Sequence, residues 1–145
     1  MAEAVAKRLD AQIERIDDQD AFTGFGSYFS GIVASMRHQA TPIATPKIDP
    51  ADFDFVVLVG PIWAGRMSCS MRGYLNCRRE SIGAYAAFMT STEGKPDRAF
   101  DEMAELVGRP PLVTGAITVR DVLGGKVAKK VAAFAEAIDS ELTSG

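Results

Sequence analysis

The run Phe53-Asp54-Phe55-Val56-Val57-Leu58-Val59 constrains this chain more than any other segment. It is apolar and β-branched without the alternation of a half-exposed strand, so it reads as a strand buried on both faces. Such a strand needs helices above and below it. The sequence after it supplies them in alternation. Arg66 to Arg78 reads as a helix with Met67, Met71, Tyr74 and Leu75 inward. Ile82 to Phe88 is a strand, Asp97 to Val107 a helix, Leu112 to Val119 a strand and Lys126 to Leu142 a helix. Phe100, Met103, Ala104 and Val107 mark one inner face; Val127, Val131, Phe134, Ala135 and Ile138 mark the next. Strands alternating with helices predict a parallel sheet covered on both sides, with right-handed crossovers.

The region before Phe53 is less regular. Met1 to Leu9 has helical spacing through Ala2, Val5, Ala6 and Leu9, and Gln12 to Ile16 reads as a short strand. Phe22 to Gln39 mixes apolar helical spacing with Gly24, Gly26 and Gly31, which weaken it. Thr41 to Pro50 holds three prolines and reads as an extended surface connection.

A chain of 145 residues is one domain's length. Its 47% hydrophobic and 24% charged content is that of a soluble globular protein, and a net charge of −3 supplies no basic field for nucleic acid. Lacking a signal peptide and a long apolar run, the sequence is expected to be cytoplasmic, with no membrane partner. Cys69 and Cys77 fit neither a redox pair nor a zinc knuckle, so they read as reduced thiols near one helix.

Ligands of open α/β sheets bind at the carboxyl ends of strands. Two loops fall there. Gly60-Pro61 reads as a tight turn, Trp63 offers an aromatic face, and Ala64 and Gly65 leave room beside it. Thr90, Ser91 and Thr92 supply hydroxyls, and Gly94 an open backbone. An aromatic wall facing a loop rich in hydrogen-bonding groups suits a heteroaromatic ring. Each residue also has a plainer reading. Trp63 can be a core or interface aromatic, the Thr-Ser-Thr run a loop cap, Asp97 a helix cap and His38 a surface residue.

The segments Phe53 to Gly65 and Phe88 to Gly94 resemble the third and fourth strands of the flavodoxin family, each with its following loop. Asp97 to Leu142 is similar to the helix–strand–helix ending of short-chain members, and Phe22 to Met36 to a segment of some flavodoxin-like oxidoreductases. The resemblance implies a flavodoxin-like three-layer α/β/α sandwich with a parallel sheet of order 2-1-3-4-5. It implies FMN as cofactor, lined by Pro61, Ile62, Trp63, Ala64 and Gly65 on one side and Thr90, Ser91, Thr92, Glu93 and Gly94 on the other. Trp63 would pack on the isoalloxazine, and the backbone of Ala64-Gly65 would lie near its N5. The flavin supplies the redox chemistry, so no catalytic acid or base is needed. A redox partner protein or a small-molecule acceptor would complete the electron transfer; carrier and reductase are not distinguished.

Met1-Ala2-Glu3-Ala4-Val5-Ala6 already resembles the middle of the family's first helix. The expectation is a single domain over 1–145, shortened at its N-terminus, whose first strand and phosphate loop have no counterpart. That strand would lie between those near Ile13 and Val56. Losing about three charge-assisted hydrogen bonds to phosphate would cost on the order of 5 kcal/mol, roughly a thousandfold or more in affinity. Two accounts follow: a late start or fragment of an ordinary family member, or a shortened protein with a rearranged sheet, as a dimer. The functional alternative is a non-enzymatic flavodoxin-fold module that acts through a protein partner. A phosphorelay receiver is disfavoured, because Val59-Gly60 and Thr118-Val119-Arg120 stand where it needs an aspartate and a lysine.

Overall fold

The computed structural model describes residues 1–16, 40, 42–92 and 96–144. The expected segment 22–39 lies outside them. Helix α1 is Ala2–Leu9; Glu3 in its first turn and Lys7 and Arg8 in its last complement the helix dipole, and Asp10 ends it in the left-handed region. A 3-10 turn, Pro50–Asp52, leads into strand β1, Phe55–Trp63. β2 is the two-residue strand Arg66–Met67, and α2 is Cys69–Arg78. β3 is Ala84–Ser91, α3 Asp97–Val107, β4 Val113–Thr118, α4 Val119–Leu123 and α5 Val127–Ser144.

The sheet order is β2-β1-β3-β4. β1 and β3 run parallel from Phe55 opposite Ala84 to Pro61 opposite Thr90. β3 and β4 run parallel from Ala86 opposite Val113 to Ser91 opposite Thr118. The succession β1-β3-β4 is the order expected of the family's third, fourth and fifth strands.

Pleat alternation splits the core into two layers. Tyr85, Ala87 and Met89 face Leu75, Met71 and Met103 on the α2–α3 side. Ala86 and Phe88 face Val5, Val131, Phe134 and Ile138 on the α1–α5 side. The sheet is therefore the middle of three layers. The buried Tyr85 keeps its hydroxyl satisfied by donating to the Arg109 carbonyl at 3.0 Å, and burial pushes its phenol up to about 12.

Most expected elements stand, with five corrections. The expected helix Arg66 to Arg78 begins only at Cys69, because Arg66 and Met67 turn back and pair with β1 as strand β2. Gln12–Ile16 is not a strand. Only Ile13 and Ile16 are apolar there, Ile13 is 48% exposed, and Glu14 accepts from the amides of Lys47 and Ile48, which ties the segment to that connection instead of to a sheet. Gly60-Pro61 is not a turn, since β1 continues through both to Trp63. Asp97 does not cap α3; Pro96 holds the cap position without a side-chain bond, and Asp97 is the first helical residue. Finally, α4 intervenes between β4 and Gly124, where no helix was expected. Cys69 and Cys77 are free thiols on α2, as the sequence suggested.

Candidate functional site

The carboxyl ends of β1, β3 and β4 lie side by side, because Pro61 pairs with Thr90 and Ser91 with Thr118. The two loops singled out in the sequence therefore open at one end of the sheet. The turn itself sits further along than expected. Trp63 pairs with Arg66 across a two-residue connection, and both of its residues have positive φ, 51° at Ala64 and 76° at Gly65. That is the conformation a tight hairpin needs. A Cβ placed on Gly65 would meet nothing within 4 Å, so the turn faces open space.

The side chains divide by pleat. Ile62 is 8% exposed and packs with Leu58, Met67 and Met71, so its side chain belongs to the core. Trp63, the next residue, is directed to the opposite side and is half-buried. Pro61 and Ala64 are exposed; Gly65, Thr90 and Ser91 are half-buried, and Thr92 is exposed. Glu93 and Gly94 lie outside the described residues.

The hairpin is braced by a buried ion cluster. Glu102 on α3 accepts from Arg66 on β2 and, at 2.9 Å, from Arg72 on α2. All three side chains are nearly buried, so the arginines depend on the carboxylate to compensate charge that water does not reach. Arg66 faces Trp63 across the strand pair, so Glu102 fixes the loop that carries the tryptophan. The sequence reading missed this cluster. Its one visible signal was a carboxylate between Ala99 and Met103 on the inner face of α3.

A second network closes the end of β4. Thr118 caps α4 by accepting from the Asp121 amide, and Asp121 accepts from the Thr118 amide and hydroxyl in return. The Lys130 ammonium donates to Asp121 at 2.7 Å and to the Ala116 carbonyl at 3.1 Å. The lysine hydrogen bond, then those from Thr118, pull the Asp121 carboxyl from 3.8 down to about 2. A carboxylate with a depressed folded-state pKa stabilises above its unfolded value and loses that contribution as pH falls through the folded one. Asp121→Asn is therefore expected to lower the urea midpoint near neutral pH. The gap from wild type should close as pH falls from about 4 to about 2. A gap of constant size over that range would rule out the ionic origin.

A cavity of about 300 Å³ lies elsewhere, along β1 beneath α1, and does not include the two loops. Among the described residues, no cluster of His, Cys, Asp and Glu could hold a metal ion. No described helix is long and apolar enough to cross a membrane.

No protein-family model matches the sequence, and no curated protein matches it. A solved structure does: a flavoprotein in complex with FMN from Lactobacillus acidophilus NCFM. The TM-score is 0.64 at 17% identity, over 83% of this chain and 85% of that one. The fold is flavodoxin-like. At that identity the likeness extends to the α/β/α architecture with its parallel sheet, and the site residues rest on their own geometry.

Proposed function

We propose that the carboxyl end of this sheet binds FMN and that the protein passes electrons to a redox partner or a small acceptor. The observation that carries the reading is the placement of Trp63, Ala64-Gly65 and Thr90-Ser91 at one end of a flavodoxin-like sheet. The similar structure was solved in complex with FMN, which agrees with that reading.

The residues suit the ring portion of such a cofactor. Trp63 supplies an aromatic face, and the positive-φ turn leaves the backbone of Ala64 and Gly65 accessible to a heteroaromatic edge. The hydroxyls of Thr90 and Ser91 stand on the neighbouring strand. When bound, the flavin would carry the electrons. The chain's own part is to hold the ring, restrict water and tune the potential through stacking and hydrogen bonds. Glu102 serves this by keeping the hairpin on α3.

The test is titration with FMN, followed by quenching of flavin fluorescence. Saturable binding is expected, weakened roughly tenfold in Trp63→Ala by the loss of about 1–1.5 kcal/mol of stacking, and retained in Trp63→Phe. Circular dichroism melts of each variant separate lost binding from lost fold. The absence of saturable binding at high micromolar FMN would sink the proposal. The cavity beside β1 would then favour the second reading, a flavodoxin-fold module that works without flavin through a protein partner.

A further inference from the structure

α4 is built inside out. Val119, Val122 and Leu123 stand at positions i, i+3 and i+4, the spacing of an apolar face that a helix normally turns to the core. Here that face is turned to solvent. Val119 is 46%, Val122 56% and Leu123 82% exposed, while Asp121 is the buried residue of the helix. Polar contacts fix this orientation. Thr118 and Asp121 form the capping box, and Lys130 reaches Asp121 from α5, so the helix is fastened through its polar side. The Lys126 amide adds a bond to the Asp121 carbonyl at 2.8 Å. Exposed apolar residues scattered singly are ordinary; three on one fixed helical face mark a contact surface.

The rim of this patch is basic. Arg120 lies on α4 itself, and the stem of Lys126 passes over its end, with Cε 3.7 Å from where a Cβ on Gly124 would stand. Lys129 follows one turn later on α5, and all three cations are exposed. The one carboxylate within residues 119–130 is Asp121, which Lys130 neutralises. The carboxylates of α5, Glu136, Asp139 and Glu141, come only in its second half, and Asp97 and Asp101 belong to α3 in the other helical layer. In a chain of net charge −3 this is a local reversal of sign. The patch also adjoins the end of the sheet that holds Trp63 and Thr90. Thr118 pairs with Ser91, and Val119 follows it directly. β4 is two strands from β1, so the start of α4 lies about 10 Å across the sheet from the end of β1.

We infer that α4 is the docking face for the redox partner, and that this partner is an acidic protein whose contact surface is a small apolar centre ringed by carboxylates. It rests on the reading of the sheet end as a flavin site. An apolar centre inside a charged rim is the anatomy of a protein interface, and so small a centre matches weak, electrostatically steered redox encounters. A second copy of this chain fits poorly, because a two-fold interface would set Arg120, Lys126 and Lys129 against the same three cations. An anionic bilayer would attract the rim, but its plane would also meet the rest of a net-negative surface, whereas a protein's footprint stays on the patch.

The whole chain is titrated by calorimetry with an acidic iron–sulfur ferredoxin, and with basic cytochrome c as the probe of opposite charge. Saturable ferredoxin binding is expected. It should weaken at least tenfold as ionic strength rises from about 0.01 to about 0.15 M, over which the screening length falls from about 30 to about 8 Å. Lys126→Glu combined with Lys129→Glu should weaken binding by about tenfold or more at the lower salt, and Leu123→Ser by about tenfold at both. These side chains are exposed, so both variants should keep the wild-type urea midpoint and FMN affinity. Ferredoxin binding that neither variant weakens, or that is no tighter than cytochrome c binding, would overturn the inference. So would a Leu123-dependent dimer in sedimentation, or Leu123-dependent pelleting with phosphatidylserine vesicles in place of ferredoxin binding. FMN titration of the same samples separates the two readings. FMN binding without ferredoxin binding removes the docking face alone. Variant-sensitive ferredoxin binding without FMN binding removes the flavin site, and the redox role of α4 with it.

Discussion

Replacing Glu102 by alanine is expected to destabilise the protein by about 3–5 kcal/mol, because it removes the carboxylate that two buried guanidinium groups share. The Arg66, Arg72 and Glu102 side chains are 11%, 9% and 9% exposed, so water cannot take over for the carboxylate. Arg72 has little in reserve, since its Nε already lacks a hydrogen-bond partner. The exposed pair of Arg8 and Glu136, 3.7 Å apart, is the natural control. Glu136→Ala should cost less than about 1 kcal/mol. Urea denaturation of both variants measures the contrast. A triple replacement of Arg66, Arg72 and Glu102 by apolar residues of similar size should recover much of the loss, because the penalty lies in burying charge without its carboxylate. If Glu102→Ala costs no more than Glu136→Ala, the cluster is solvated in solution and the hairpin is not anchored through it. FMN titration of a folded Glu102→Gln variant would then show whether Trp63 keeps its position without the ion pairs.

That cluster shows where a sequence stops being informative. Arg66 and Arg72 lie 36 and 30 positions from Glu102, and no local pattern links them. Local signals did far better. The bounds of α3 were readable because an amphipathic run is followed by Pro110-Pro111, which cannot continue it; the left-handed cap at Gly108 closes it in the structure. The parallel sheet was readable because Val56 to Val59 and Tyr85 to Met89 are apolar on both pleat faces. Placing Trp63 and Thr90 at one end of the sheet followed from the alternation of strands and helices alone. Turn chemistry misled at Gly60-Pro61. That pair is a strong turn signal, yet here it is accommodated within β1, and the turn falls on Ala64-Gly65. Alanine gives no hint of a positive φ, so the true turn was hidden. With the strand end misplaced, the inward direction of Ile62 was hidden too. α4 was missed because its signal is a Thr118-to-Asp121 capping box followed by barely one turn of helix, too short for any periodicity to register.

Gly115→Val is the other substitution expected to have a large effect, a loss of about 3 kcal/mol from forced overpacking. Gly115 stands directly opposite Phe88 in the pairing of β3 with β4. A Cβ on Gly115 would sit 2.4 and 2.6 Å from two carbons of the Phe88 ring and 2.9 Å from one of Phe134. Neither ring can easily retreat. Both are buried, and their centroids are 4.7 Å apart in a tilted contact between the sheet and α5. Gly115→Ala introduces the same clash with less bulk and should lie between wild type and Gly115→Val in urea midpoint. Truncating the ring makes room, so Phe88→Leu should lessen the cost of Gly115→Ala, with a coupling of about 0.5–3 kcal/mol in a double-mutant cycle. A Gly115→Val protein with the wild-type midpoint would mean that the rings stack elsewhere in solution.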